Sequence, residues 1–240
     1  MKKQSLYWEL AKYYDFIYSW KDYKKEAEKI TKLILIHKKS KGKDLLDAGC
    51  GTGNHLQYFK NKFSCVGIDV NQGILDVAKE KIPNVKFRNA NMINFKLGKQ
   101  FDVITCLFSS IGYVKTYENL RKTINNFTFH LKKGGVVIIE PWFTRSAFIA
   151  GLPHMTTYDG KELKIARLHV SRVKGNVSIM DMHYLIAEKN RHVKHFVERH
   201  EMGVFEIDKT LQFMKQAGLR AKFLNNGLMK DRGLFIGVKK

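Results

Sequence analysis

Three cysteines in 240 residues, Cys50, Cys65 and Cys106, are too few and too scattered to build a disulfide framework. Their odd number and wide spacing also argue against a zinc site, so reduced thiols in a cytoplasmic protein are expected. Long apolar runs are missing as well. The best candidate, GGVVIIEPWF, is broken by Glu140 and Pro141 and falls short of the roughly 20 residues that a membrane span needs. The N-terminal stretch MKKQSLYWELAKYYDF has two lysines but neither an uninterrupted apolar segment nor a small-residue cleavage site, so no signal peptide is expected. No internal repeat and no low-complexity linker is visible. Acid is scarce too: 22 Asp and Glu stand against 43 Lys and Arg, a formal net charge of +21. Such an excess points to nucleic acid, an acidic membrane surface or a phosphorylated small substrate. The lysines, however, are dispersed as pairs at 2, 24, 38, 132 and 239. A lysine-rich surface without a partner therefore stays an equal alternative to a functional field.

What is present suits one domain with an inserted subdomain: 44% hydrophobic residues can bury a full core at this length. In YWELAKYYDFIY, Tyr7, Leu10, Ala11, Tyr14 and Ile17 share one helical stripe. A second helix is expected from about Asp22 to His37. LLDAG then reads as a buried strand, GCGTG as a tight turn, and Asn54 to Asn61 as a helix. SCVGIDV is a second strand, NQGILDVAKEKI a helix stopped by Pro83, VKFRNA a third strand and FDVITCLFSS a fourth. Thr116 to Lys132 reads as a helix closed by Gly134-Gly135, and GGVVIIEPW as a fifth strand. Strands alternating with helices predict an α/β fold, a doubly wound and mostly parallel seven-stranded sheet. After Trp142 the rhythm becomes antiparallel, with strands separated by KG and EKN turns. The expected division is 1–142 for cap helices and ligand-binding core, 143–205 for an antiparallel insertion after the fifth strand, and 206–240 for a closing helix and strands.

Asp47-Ala-Gly49-Cys-Gly51-Thr-Gly53 ends the first strand and opens a helix. Glycines at such a place let the main chain turn sharply and approach a ligand without Cβ collisions. The pattern is GxGxG, not the GxGxxG of nicotinamide and flavin sites, because Asn54 stands where the last glycine would fall. No GK[ST] follows, which excludes a phosphate loop. Asp69 ends the second strand, where a carboxylate can accept both hydroxyls of a ribose. Asn91-Met92 follows the third strand, where an amide can address an adenine edge and a thioether can cover its face. These residues all lie outside the carboxyl ends of adjacent parallel strands, the ligand side of an open sheet.

DAGCGTG, GID and NANM, in this order and spacing, resemble the class I S-adenosylmethionine-dependent methyltransferases. FSSIGYVKT (108–116), VVIIEPWF (136–143), MHYLIA (182–187) and DRGLFIGV (231–238) further resemble the nucleotide-aminosugar N,N-dimethyltransferases of macrolide sugar biosynthesis, as does YYDFIY followed by KDY. The resemblance covers nearly the whole chain. It implies S-adenosyl-L-methionine as cofactor, held by Tyr14, Asp47, Gly49, Gly51, Gly53, Asp69, Asn91, Met92 and Leu107. It implies a small-molecule amine as acceptor, plausibly nucleotide-linked, with a homodimer as one use of the insertion and a substrate lid as the other. There are departures: Asp69 stands where that subgroup has Glu, Ala90-Asn91-Met92 replaces Gly-Asp-Met, and +21 is unusual for it. They bear on the acceptor rather than the cofactor.

The residues after the fourth strand face the reacting group in this fold. Base methylases carry [DN]PP[YF] there, whereas this chain has Phe108-Ser109-Ser110-Ile111, which counts against nucleic acid as substrate. No Pro-Cys pair surrounds Cys106, which counts against cytosine chemistry. Tyr113 occupies the position where the resembling enzymes place His or Tyr near the amine. It is the candidate catalytic residue, against a plain aromatic closing a helix start. Trp142 either walls the acceptor pocket or anchors the lid. Arg232 matches the position that meets a nucleotide diphosphate, against a solvated turn arginine. Glu140 reads as structural. His192, His195 and His200 lack metal spacing on one strand face and read as surface histidines. No metal is expected. Two other functions stay open: an RNA methyltransferase, supported by charge, and a cofactor-binding module without catalysis.

Overall fold

The computed structural model describes residues 10–240. Two sheets account for all the described strands. Along the chain these are β1 (Asp44–Ala48), β2 (Ser64–Asp69), β3 (Lys86–Asn89), β4 (Phe101–Cys106) and β5 (Leu131–Ile139). There follow β6 (Pro153–Asp159), β7 (Leu163–Lys174), β8 (Val177–Glu188), β9 (Lys194–Gly203), β10 (Leu219–Leu224) and β11 (Leu234–Lys239). The larger sheet has the order β10-β11-β5-β4-β1-β2-β3. Its strands run parallel except β11, which is antiparallel to β5 and to β10. The smaller sheet is the antiparallel meander β6-β7-β8-β9. The fold class expected from the sequence is thus the one observed.

Burial on both faces explains the short apolar strands. Leu46 and Ile104 point into one core with Ile124, Phe127 and Phe235. Their neighbours Leu45 and Val103 point into the other, with Ile30, Ile34 and Phe59. A third core lies on the smaller sheet, where Leu10, Tyr13 and Ile17 pack on Ile165, Met180, Tyr184 and Met202. The N-terminal segment therefore belongs to the smaller sheet as much as to the larger.

The helices are α1 (Tyr14–Ile17), α2 (Tyr23–His37), α3 (Leu56–Phe59), α4 (Gln72–Lys81), α5 (Tyr117–His130) and α6 (Ile207–Gln216). Asp22, Asn71 and Thr116 cap α2, α4 and α5 by accepting from the N–H three residues on. Four expectations are corrected. The stripe of the first helix resolves into a 3-10 turn, Ala11–Tyr13, and the single turn of α1, with Tyr7 outside the described residues. The helix expected over 54–61 shrinks to α3, because the glycine turn holds the chain as far as His55. Helix α5 ends at His130, since Leu131 is already extended and the chain enters β5 at once. Gly134 and Gly135 lie inside β5, where the β4 register shifts and the Gly134 carbonyl accepts from Lys39 and Ser40 N–H. Strand β6 was not anticipated, because its largely exposed residues give no apolar alternation.

Candidate active site

Gly49, Gly51 and Gly53 all take positive φ, 74°, 54° and 77°. The reasons differ. A Cβ on Gly49 would lie 2.6 Å from Ser110 Cβ, and one on Gly53 would lie 2.9 Å from Ile82 Cδ1. A Cβ on Gly51 would meet nothing nearer than the Tyr14 hydroxyl at 3.9 Å. Gly49 and Gly53 permit packing, whereas Gly51 has room for a Cβ in ordinary contact with Tyr14. Below the turn, Asp47 is 2% exposed and accepts from Thr105 Oγ1 at 2.7 Å. Burial pushes its carboxyl up to about 6, with a contribution from nearby Asp69.

Asp69 stands at the end of β2, half-buried. Its Oδ2 accepts from Gly51 N–H at 3.1 Å and its Oδ1 from Asn71 N–H at 3.0 Å. Burial raises its pKa, and the backbone donors oppose that rise. The Met92 methyl reaches within 3.1 Å of the place where a Gly49 Cβ would sit. Asn91 is exposed and its Oδ1 accepts from Ile93 N–H at 2.9 Å. Leu107 is buried behind the turn. Sequence reasoning missed Asp15, which accepts from Thr52 Oγ1 at 2.6 Å, Asn54 Nδ2 at 2.9 Å and Lys81 Nζ at 2.6 Å. It clamps α1 onto the glycine turn. Its signal was the single acid within YYDFIY.

Beyond β4 the chain is strained. Phe108 and Ser109 adopt φ of 48° and 65°, unusual for residues with a Cβ and worth about 1–3 kcal/mol each. Glu140, fully buried at the end of β5, accepts from Phe108 N–H at 2.7 Å. Ser109 Oγ donates to Pro141 O at 2.9 Å and accepts from Arg232 Nη1 at 2.8 Å. Ser110 Oγ donates to Gly49 O at 3.0 Å, joining this turn to the glycine turn. Burial raises the Glu140 pKa, and the Arg232 and Lys21 charges hold it down. Glu140 fixes the bend after β4 through its bond from Phe108 N–H. Arg232 is 7% exposed, not a solvated turn residue, and its guanidinium lies 4.6 Å from the Trp142 ring and 5.0 Å from Phe143. With Thr144, Asn225 and Lys230 it borders a cavity of about 490 Å³.

The smaller sheet supplies the facing wall. Trp142 Nε1 donates to Ser178 Oγ at 3.0 Å, and Arg167 Nη1 donates to the Tyr18 hydroxyl at 2.8 Å. Tyr113 lies in a 3-10 turn, Ser110–Val114, with its hydroxyl 2.7 Å from His200 Nδ1. His200 Nε2 is in turn 3.1 Å from Glu198 Oε2. The reading of His200 as a surface residue is corrected: it is 8% exposed, because its parity on β9 turns it to the core, while His192 and His195 are exposed. Burial pushes the Tyr14 phenol well up, and the fields of Tyr18, Tyr23, Tyr113 and Asp69 add to that shift. The Tyr14 hydroxyl lies 3.9 Å from where a Cβ on Gly51 would sit. Among the described residues no group of three His, Cys, Asp or Glu is placed to hold a metal ion. No described helix is long and apolar enough to cross a membrane.

A tight glycine turn, an acid at the end of the second strand and a thioether beside it fit an adenosine-bearing cofactor. The comparisons agree. Residues 45–135 match the family described as a methyltransferase domain. The chain is an S-adenosylmethionine-dependent methyltransferase of the class I fold. It is 33% identical over 231 residues to the dTDP-3-amino-3,4,6-trideoxy-alpha-D-glucopyranose N,N-dimethyltransferase of Streptomyces venezuelae, covering 95% of this chain and 97% of that one. The crystal structure of Streptomyces venezuelae DesVI superimposes with a TM-score of 0.89 at 33% identity, over 95% of this chain and 97% of the other. SAM-bound CalS10, an amino pentose methyltransferase from Micromonospora echinaspora, gives 0.82 at 27% identity over 92% of each. The chain belongs to the family of sugar N,N-dimethyltransferases.

Proposed function

We propose that the protein methylates the amino group of a nucleotide-linked deoxyaminosugar. The observation that carries this reading is the bond from Tyr113 to His200, which ties the bend after β4 to the smaller sheet. We place the acceptor beside this phenol, where the bend after β4 meets the smaller sheet. The names of the similar proteins supply the acceptor class.

S-adenosylmethionine supplies an electrophilic methyl group. The rest is positioning and the handling of a proton. Gly51 gives the methionine end room to approach the backbone. Asp69 accepts from the ribose hydroxyls, Met92 covers the adenine, Asn91 addresses its edge, and Tyr14 closes the cradle from α1. Asp47 and Leu107 support the turn from beneath. Trp142 forms part of the acceptor wall. Arg232 borders the cavity with Lys230, and its Nε lacks a hydrogen-bond partner, so we assign the acceptor's phosphate to this end. Tyr113 accepts a hydrogen bond from the amine and orients its lone pair, while the two sheets exclude water.

The test is incubation with labelled cofactor and either dTDP-linked 3-amino or 4-amino deoxysugars or tRNA. One or two methyl groups on the sugar nitrogen are expected. Label in tRNA, or none on any aminosugar, would overturn the reading.

A further inference from the structure

At several places on the surface lysines meet acids: Lys99 and Lys132 pair with Asp44, and Lys132 also with Asp102. One place differs. The end of α2 and the edge strand β10 border a cavity of about 540 Å³. Lys39, Lys215, Arg220 and Lys222 stand around it, all exposed, and no Asp or Glu side chain lines it. Among the described residues none of these four side chains forms an ion pair or a hydrogen bond. The floor is aliphatic. Leu219, Ile236 and Val238 form it, 1%, 1% and 8% exposed, with Ile36 open to water beside them.

The cavity lies at the end of the larger sheet away from the glycine turn. Val238 pairs with Val136 near the start of β5, whereas Phe235 pairs with Ile139 beside Glu140. Lys39 N–H donates to Gly134 O at that same starting end. Ordinary reasons account for the cations one at a time. Lys215 lies in the last turn of α6, where a positive charge suits the helix dipole. Arg220 and Lys222 lie on an edge strand, where charge discourages unwanted pairing. Neither reason explains why they gather around an aliphatic hollow. Like charges brought together without an acid repel one another, and one kind of occupant relieves both that repulsion and the wetted floor. His37, on the same cavity, is held below its ordinary pKa by burial and by the charges of Lys222 and Lys39.

We propose that this hollow is a second ligand site, one that takes a small organic polyanion: an apolar body carrying several phosphate, sulfate or carboxylate groups. The body lies on Leu219, Ile236 and Val238, and its anionic groups meet Lys39, Lys215, Arg220 and Lys222. The size suits such a molecule, since ligand cavities run to about 300–1,000 Å³. A nucleic-acid strand fits less well, because no aromatic side chain lines the hollow to stack on its bases. A flat lipid surface fits less well too, because the buried floor lies below the exposed rim. An inorganic anion would leave the floor in water. The site stands apart from the glycine turn and from Tyr113, and it does not depend on the methyl-transfer reading.

The probe is pyrenetetrasulfonate, a flat apolar body bearing sulfonates, followed by its fluorescence anisotropy as protein is added. At about 150 mM salt, exposed charges more than ~8 Å apart are largely screened, so a general field contributes little. Saturable binding is expected, with the His37 ring and Ala221 methyl signals shifting in NMR and the His37 titration midpoint rising. Two double variants of equal net charge separate a site from a field. Arg220→Glu with Lys222→Glu should weaken binding roughly tenfold or more. Lys60→Glu with Lys62→Glu, exposed beyond α3 and away from the hollow, should weaken it less than about twofold. Affinity for S-adenosylhomocysteine should match the wild type in both, which shows that each folds. Lys39→Glu, from a separate segment, should weaken the dye as well. Inorganic tripolyphosphate, which has charge but no apolar body, should compete poorly. Absence of saturable binding, equal losses in the two double variants, or full dye affinity in Lys39→Glu would overturn the site. Tripolyphosphate competing as well as free dye would overturn the role of the floor, and stronger competition by single-stranded oligouridylate would assign the hollow to nucleic acid instead.

Discussion

On the glycine-turn side, Asp69 is reached by Gly51 N–H across 18 residues of chain and by Asn71 N–H across 2. On the facing side, Tyr113 reaches His200 across 87 residues, Ser109 receives Arg232 across 123, and Tyr18 receives Arg167 across 149. The first wall is built from the glycine turn and the ends of β2 and β3, with Tyr14 and Asp15 of α1 laid against it. The second is made of side chains from both sheets and the N-terminal segment. The difference suggests a division of work: the local wall holds the cofactor common to many methyltransferases, and the assembled wall selects and prepares the acceptor.

The sharpest way to break this comparison is a pair of glycine substitutions. Both Gly49→Ala and Gly51→Ala force a side chain to positive φ, at about 1–2 kcal/mol. Gly49→Ala adds a collision with Ser110 and should lose a further ~1–3 kcal/mol of stability in urea denaturation. Gly51→Ala meets the Tyr14 hydroxyl only at ordinary contact distance and should lose little beyond the strain, yet its affinity for S-adenosylhomocysteine should collapse in calorimetry. Equal destabilisation with intact binding in both would show that Gly51 does not face the cofactor.

Asp69→Ala comes next. Charge-assisted hydrogen bonds contribute about 1.5–3 kcal/mol each, so affinity for S-adenosylhomocysteine should fall by roughly tenfold or more while the fold persists. Because Asp69 also receives Gly51 and Asn71 N–H, Asp69→Asn separates the two jobs. It should retain more of the turn's order, read as amide-exchange protection, than of the affinity.

On the other wall, Tyr113→Phe should slow methyl transfer by roughly ten- to a hundredfold in single turnover, with cofactor affinity unchanged. Wild-type rates would reduce Tyr113 to scaffold.

How much of this was legible in the chain follows from the same contrast. The parallel sheet, the GxGxG turn, Asp69 and Met92 are each announced within a few residues, and they were readable. His200 was grouped with His192 and His195 as a surface histidine for want of metal spacing on one strand face, and only the β8–β9 register turns it inward. Arg232 read equally as a diphosphate contact and as a solvated turn residue, and Trp142 and Phe143, some 90 positions earlier, cover it and exclude the second. Glycines 134 and 135 imitate a helix stop because the same residue type serves a bulge. Asp15 gave no signal of its pairing, since Thr52, Asn54 and Lys81 come from three separate segments.

A smaller effect concerns the support beneath the glycine turn. The Asp47 carboxyl is raised to about 6 from 3.8, so the folded state prefers it protonated. Its contribution to stability is complete below about pH 4 and is lost as pH rises through about 6. Asp44, Asp102 and Glu26 are shifted downward and run the opposite way, so the effect is read as a difference. Relative to the wild type, Asp47→Asn should gain stability between about pH 4 and 6, by about 1–2 kcal/mol in paired urea titrations. No pH dependence in that difference would show that Asp47 is ionised in the fold.

The division of work is tested most directly by single-turnover methyl transfer to a dTDP-linked aminosugar as cofactor concentration is raised. At saturating S-adenosylmethionine, Asp69→Ala should recover most of the wild-type rate, because its defect lies in holding the cofactor. Tyr113→Phe should stay slow at every concentration. An Asp69→Ala rate that remains low at saturation, or a Tyr113→Phe rate restored by more cofactor, would contradict the assignment of the two walls.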